Sequence, residues 1–92
     1  MIPFDNRDGF IWFNGSIINW KEAKVHVLNH GLHYGSCVFE GIRVYNGKIF
    51  KLDEHVERLF KSAEILDLKI PYSLDEIISQ TKNIVEKQGV RE

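Results

Sequence analysis

His30 to Tyr45 reads HGLHYGSCVFEGIRVY and runs straight into Asn46-Gly47, the strongest hairpin-turn signal in the chain. From about Val38 to Tyr45 the composition is that of a strand. Side chains alternate across a strand, so Phe39, Gly41, Arg43 and Tyr45 share one face, and Glu40, Ile42 and Val44 the other. The first face sets a guanidinium beside a position without a side chain, between two aromatic rings. That pattern suits the wall of a site for an anion with an apolar body. A half-exposed strand whose arginine faces water gives the same pattern, so both readings stay open on these residues.

Beyond the turn, Lys48 to Lys51 is the return strand. Asp53 is a good N-cap for a helix running to about Asp67, with Leu52 as a hydrophobic staple. Its apolar positions Val56, Leu59, Phe60, Ala63 and Leu66 follow the helical period. Pro71 blocks simple continuation. Ser73 and Glu76 form a capping box for a second helix, with the stripe Leu74, Ile77, Ile78, Thr81, Ile84 and Val85 and a stop at Gly89.

Upstream, Phe10 to Phe13 and Ser16 to Trp20 flank Asn14-Gly15 and predict another tight hairpin. Trp12 and Phe13 are adjacent and should face opposite sides. Met1 to Gly9 is a lead-in, Val25 to Leu28 a brief extended stretch, and Asn29 to Ser36 a Gly-rich loop with room for one irregular helical turn. Strands followed by helices predict an α+β fold: an antiparallel sheet of short strands with two helices packed on it. No linker or repeat divides the chain, so residues 1–92 read as one unit. The abrupt finish at Val90 to Glu92 leads to the expectation of a piece of a longer chain.

Apolar residues make up 43% and charged residues 27% of 92, the profile of a folded domain rather than a disordered one. A chain this short buries roughly 60–65% of its unfolded surface, so a partner domain or subunit is expected. Twelve basic and thirteen acidic residues leave a formal net charge of −1, which gives no general pull on nucleic acid or on an acidic membrane. The single cysteine, Cys37, excludes an internal disulfide. With no basic leader and no apolar run of about 18 residues, a cytoplasmic protein is expected.

Arg58 has two readings. Glu54, four residues earlier, can pair with it, or its guanidinium fork can grip a phosphate. His26, His30, His33 and His55 match no tight zinc spacing, so no metal is expected. His30 and His33 are better placed to hydrogen-bond loop backbone. Tyr34 can offer a hydroxyl and a ring to a small ligand, or serve as an interface ring. Cys37 lacks a nucleophile setting, Glu40 and Asp53 form no recognisable carboxylate pair, and Gly31 with Gly35 makes no phosphate loop.

Several runs together carry a resemblance. They are Ile11 to Gly15 (IWFNG), Trp20 with Ala23 to Val27, His30, Leu32 to Gly35, Val38 to Arg43, Tyr45, Glu54-His55, Arg58-Leu59 and Ser62-Ala63. The chain resembles the N-terminal part of bacterial branched-chain amino acid aminotransferases, class IV enzymes that use pyridoxal 5'-phosphate. D-amino acid aminotransferases and aminodeoxychorismate lyases share that fold but match the Phe39 to Arg43 run less well. The resemblance implies the small N-terminal domain of a two-domain fold, with the cofactor between the domains, in a homodimer or an assembly of dimers. It implies phosphate binding by Arg58, substrate-pocket roles for Phe39 and Tyr34, the latter reaching across the dimer, and an active-site role for Arg43.

The family's Schiff-base lysine and the carboxylate that meets the cofactor's ring nitrogen would both lie beyond Glu92. None of the eight lysines present stands at the family position. The 92 residues alone are therefore expected to be inactive, with no catalytic residue among them, while the parent would move the amino group of leucine, isoleucine or valine to 2-oxoglutarate. A small α+β binding or dimerisation module, or the lyase and D-amino acid branch of the family, remain the alternative expectations.

Overall fold

The computed structural model describes residues 9–89, apart from the side chains of His30 and His33. The lead-in at residues 1–8, the reading of Val90 to Glu92, and the loop-holding role expected of His30 and His33 lie outside the described residues.

Two Asn-Gly pairs set the strand pattern. β1 (Phe10–Phe13) and β2 (Ser16–Asn19) pair antiparallel, with Phe13 opposite Ser16. β3 (Val44–Tyr45) and β4 (Lys48–Ile49) pair in the same way, with Tyr45 opposite Lys48. Asn14 and Asn46 each have φ of 49°, and Gly15 and Gly47 have 91° and 76°. Positive φ at both central positions matches the right-handed twist of the flanking strands. Gly15 is doubly constrained, because a Cβ there would sit 3.1 Å from the Tyr72 hydroxyl.

The fold is α+β, but the hairpins remain two separate two-stranded sheets rather than one. The strand expected from about Val38 shrinks to its last two residues. Among the described residues no strand pairs with 35–42, and Arg43 only accepts from Phe50 N–H, so this extended segment carries no ladder and is not a strand. Exposure nevertheless alternates through this segment: Phe39, Gly41, Arg43 and Tyr45 are exposed, while Glu40, Ile42 and Val44 are half-buried. The two-face reading survives as side-chain direction. The stretch expected to be extended around Val27 and Leu28 is a turn, closed by Asn29 N–H donating to the His26 carbonyl at 2.9 Å. His26 Nδ1 accepts from Leu28 N–H at 3.0 Å, so this histidine holds loop backbone. The irregular turn in the Gly-rich segment is α1 (His30–Tyr34), capped by the Asn29 side chain and ended by Gly35 at φ 70°.

α2 (Leu52–Ile65) is capped at Lys51 and so starts two residues earlier than the Asp53 cap predicts. Phe50 N–H donates to the Arg43 carbonyl at 2.8 Å, and Lys51 then turns into the left-handed region at φ 51°. That tight return delivers Leu52 directly to the core. Asp53 and Glu54 instead fall in the first turn, where their charge favours the helix N-terminus. Leu52, Val56 and Ala63, spaced four and seven apart, are the buried side chains. The end of α2 is a Schellman turn: Leu68 N–H donates to the Ala63 carbonyl at 2.8 Å across Asp67 at φ 58°.

α3 (Leu74–Gln88) begins at the predicted cap, with Ser73 Oγ accepting from Glu76 N–H at 3.1 Å, and ends at Gly89 with φ 68°. Its half-buried stripe includes Thr81, whose hydroxyl donates to the Ile77 carbonyl at 2.7 Å and so adds no unpaired polar group. α3 packs on α2 and on β1. Phe10 N–H donates to Gln88 Oε1 at 2.7 Å, Lys87 Nζ lies 4.6 Å from the Phe10 ring centre, and Trp12 meets Tyr72 edge-on at 4.9 Å. Among the described residues no helix is long and apolar enough to cross a membrane.

Candidate active site

Of the residues predicted to form a site, Arg58 stands in a side-chain cluster, while Arg43, Phe39 and Tyr34 are exposed. Arg43 Nη1 lies 3.5 Å from the Tyr45 hydroxyl, at the long limit of a hydrogen bond. Phe39, two positions before Gly41, is 84% exposed, and its ring edge lies 3.7 Å from where a Gly41 Cβ would stand. The missing side chain leaves the ring lying along the backbone. Tyr34, at the end of α1, is also exposed.

The side-chain cluster is built around Glu40. Its Oε2 accepts from Arg58 Nε at 2.8 Å, and its Oε1 accepts from Arg58 Nη2 at 2.7 Å and from His55 Nδ1 at 2.6 Å. The Glu40 side chain is only 8% exposed, whereas that of Arg58 is 66% exposed. A carboxylate at this distance accepts, so His55 Nδ1 carries a proton. Arg58 Nη2 and His55 Nδ1, 3.5 Å apart, are thus neighbours rather than partners. The Arg58 and His55 hydrogen bonds lower the Glu40 pKa to about 2, and the same carboxylate raises that of Arg58. The Glu54 partner expected for Arg58 is replaced by Glu40, which reaches both Nε and Nη2 side-on.

Sequence reading missed Glu40 and His55. Two signals were available. Alternation puts Glu40 on the inward face with Ile42 and Val44, where a carboxylate needs cationic company. His55 and Arg58, three apart on a helix, share one side of it. Among the described residues no three metal-ligating side chains gather.

The amino-transferase class IV family model matches residues 37–92, which include Phe39, Glu40, Arg43, His55 and Arg58. The chain belongs to the class IV aminotransferases. It is 48% identical, along its whole length, to a probable branched-chain-amino-acid aminotransferase of Rickettsia felis, and covers 32% of that protein. Its fold superposes on the branched-chain amino acid aminotransferase of Escherichia coli with a TM-score of 0.87 at 39% identity, covering 92% of this chain and 29% of that one. The branched-chain aminotransferase of the thermophilic archaeon Thermoproteus uzoniensis, solved with norvaline, gives 0.86 at 38% identity, over 94% of this chain and 30% of that one. This class IV chain thus spans about a third of the length of the relatives it matches.

Proposed function

We propose that these residues form the small N-terminal domain of a branched-chain amino acid aminotransferase, which moves the amino group of leucine, isoleucine or valine to 2-oxoglutarate using pyridoxal 5'-phosphate. One observation carries the reading: an exposed guanidinium, Arg58, is held along its Nε–Nη2 edge by a shielded carboxylate, which leaves Nη1 outside that contact. A fixed fork with a free edge fits the dianionic phosphate of the cofactor. The likeness to branched-chain relatives along the whole chain supports the choice within class IV.

Bound pyridoxal phosphate supplies the electron sink for amino-group transfer. Arg58 holds the phosphate. Phe39 and Tyr34 supply apolar wall that takes a branched side chain and excludes water. Arg43, bound only loosely to Tyr45, has a guanidinium ready for a substrate carboxylate, which a pocket accepting both leucine and a dicarboxylate requires. The lysine that carries the proton belongs to the part of the parent chain outside these 92 residues. The exposed apolar run of Val25, Val27, Leu28 and Leu32, next to Tyr34, suits packing in a homodimer or an assembly of dimers. The exposed thiol of Cys37 suits a cytoplasmic setting.

The test uses the full-length protein. Borohydride reduction after loading with pyridoxal phosphate should label one lysine outside residues 1–92, and a panel of amino donors should favour leucine, isoleucine and valine. A folded protein with no labelled lysine would overturn the assignment. A preference for D-amino acids would move it to another branch of class IV.

A further inference from the structure

Glu40, His55 and Arg58 come from two places in the chain. His55 and Arg58 stand one turn apart on α2, while Glu40 lies in the irregular segment 15 residues before His55. Both oxygens of Glu40 are committed to this cluster, and Oε1 serves two donors. Two parallel bonds fix the plane of the guanidinium, and the imidazole fixes the carboxylate in turn. Arg58 would otherwise sample many rotamers on an exposed helix face.

The sign of the electrostatics makes this arrangement informative. A carboxylate bonded to an arginine reduces the positive potential that a phosphate meets. Glu40 therefore opposes phosphate binding as a charge and can favour it only by direction. We propose that Glu40 is a positioning residue: braced by His55, it holds the Arg58 fork with its Nη1 edge presented to the cofactor phosphate. This rests on the reading of Arg58 as the phosphate ligand. Charge alone predicts that Glu40→Gln tightens phosphate binding, whereas positioning predicts that it weakens it.

The experiment measures the affinity of the full-length apoprotein for pyridoxal phosphate and for pyridoxal, which lacks the phosphate, by cofactor absorbance. Glu40→Gln is expected to weaken pyridoxal phosphate about tenfold while changing pyridoxal by less than about twofold, the scale of one lost charge-assisted geometry. Glu40→Asp keeps the charge but is one methylene shorter. It is expected to show the same selectivity with a smaller loss, and it carries the test if the glutamine variant does not fold. In an Arg58→Met background, Glu40→Gln should have no further effect. Tighter or unchanged pyridoxal phosphate binding in Glu40→Gln would overturn the proposal. So would an equal loss for both ligands, which would make Glu40 a clasp for the segment and nothing more. If Arg58→Met itself leaves the preference for pyridoxal phosphate over pyridoxal intact, Arg58 does not hold the phosphate, and both readings fall.

Discussion

Val56 offers the sharpest test of the packing. It is the most enclosed apolar side chain on α2, at 2% exposure. Val56→Ala removes two carbons, at about 0.8 kcal/mol each, or about 1.6 kcal/mol in all. The cavity left behind adds up to about 1 kcal/mol. The better helix propensity of alanine returns about 0.5 kcal/mol. The net loss is about 1–2 kcal/mol, or a fall in Tm of about 4–16 °C for a domain of this size. Ile65→Ala on the same helix removes three carbons from a side chain that is 77% exposed. It should change stability by less than about 0.5 kcal/mol. Thermal and urea unfolding of the 92-residue chain, followed by far-UV circular dichroism, reads both variants. The smaller deletion should cost more. If Ile65→Ala costs as much as Val56→Ala, the assignment of the inner face of α2 is wrong.

Ser73→Ala should lose about 1 kcal/mol in the same urea titration, since the Glu76 amide loses its acceptor. Gly15→Ala forces a side chain into a turn at φ 91° and against the Tyr72 hydroxyl. More than about 1 kcal/mol should be lost, and the near-ultraviolet Trp12 signal should change as the Tyr72 contact is disturbed. Glu40 has its folded pKa lowered, so its contribution is complete above the ordinary carboxylate value of 4.5 and fades as pH falls towards about 2. Acid titration of the wild type should show a stability loss across that window that is missing in Glu40→Gln. Equal slopes would refute the ion-pair account.

Features set by a residue and its immediate neighbours were legible in the sequence. Asn14-Gly15 and Asn46-Gly47 turn because of their own backbone preferences. Ser73, Glu76 and Gly89 bound α3 for the same reason. Features that depend on distant atoms were not. The composition of Val38 to Ile42 favours a strand, yet a strand also needs a neighbour, and among the described residues none pairs with this segment. Asp53 has the chemistry of a cap, but the tight return after β4 starts α2 ahead of it. Arg58 had a local partner in Glu54 and took Glu40, which offers two oxygens in a shielded place. The residues proposed for the site, Tyr34, Phe39, Arg43 and Arg58, were put forward from sequence. The contact that organises Arg58 spans 18 residues and was not.

The bond between Phe10 and Gln88 ties the start of the described chain to its end. Its partners stand 78 residues apart, against 15 for the Glu40–His55 contact. Closing the longer loop costs about 1.5 kcal/mol more in chain entropy. The second hairpin and α2 are therefore expected to consolidate first, with β1 docking on α3 last. At about 5–20 residues per second, a ribosome takes about 4–16 s to travel from Phe10 to Gln88. For most of that interval the first hairpin waits with Trp12 lacking its Tyr72 contact.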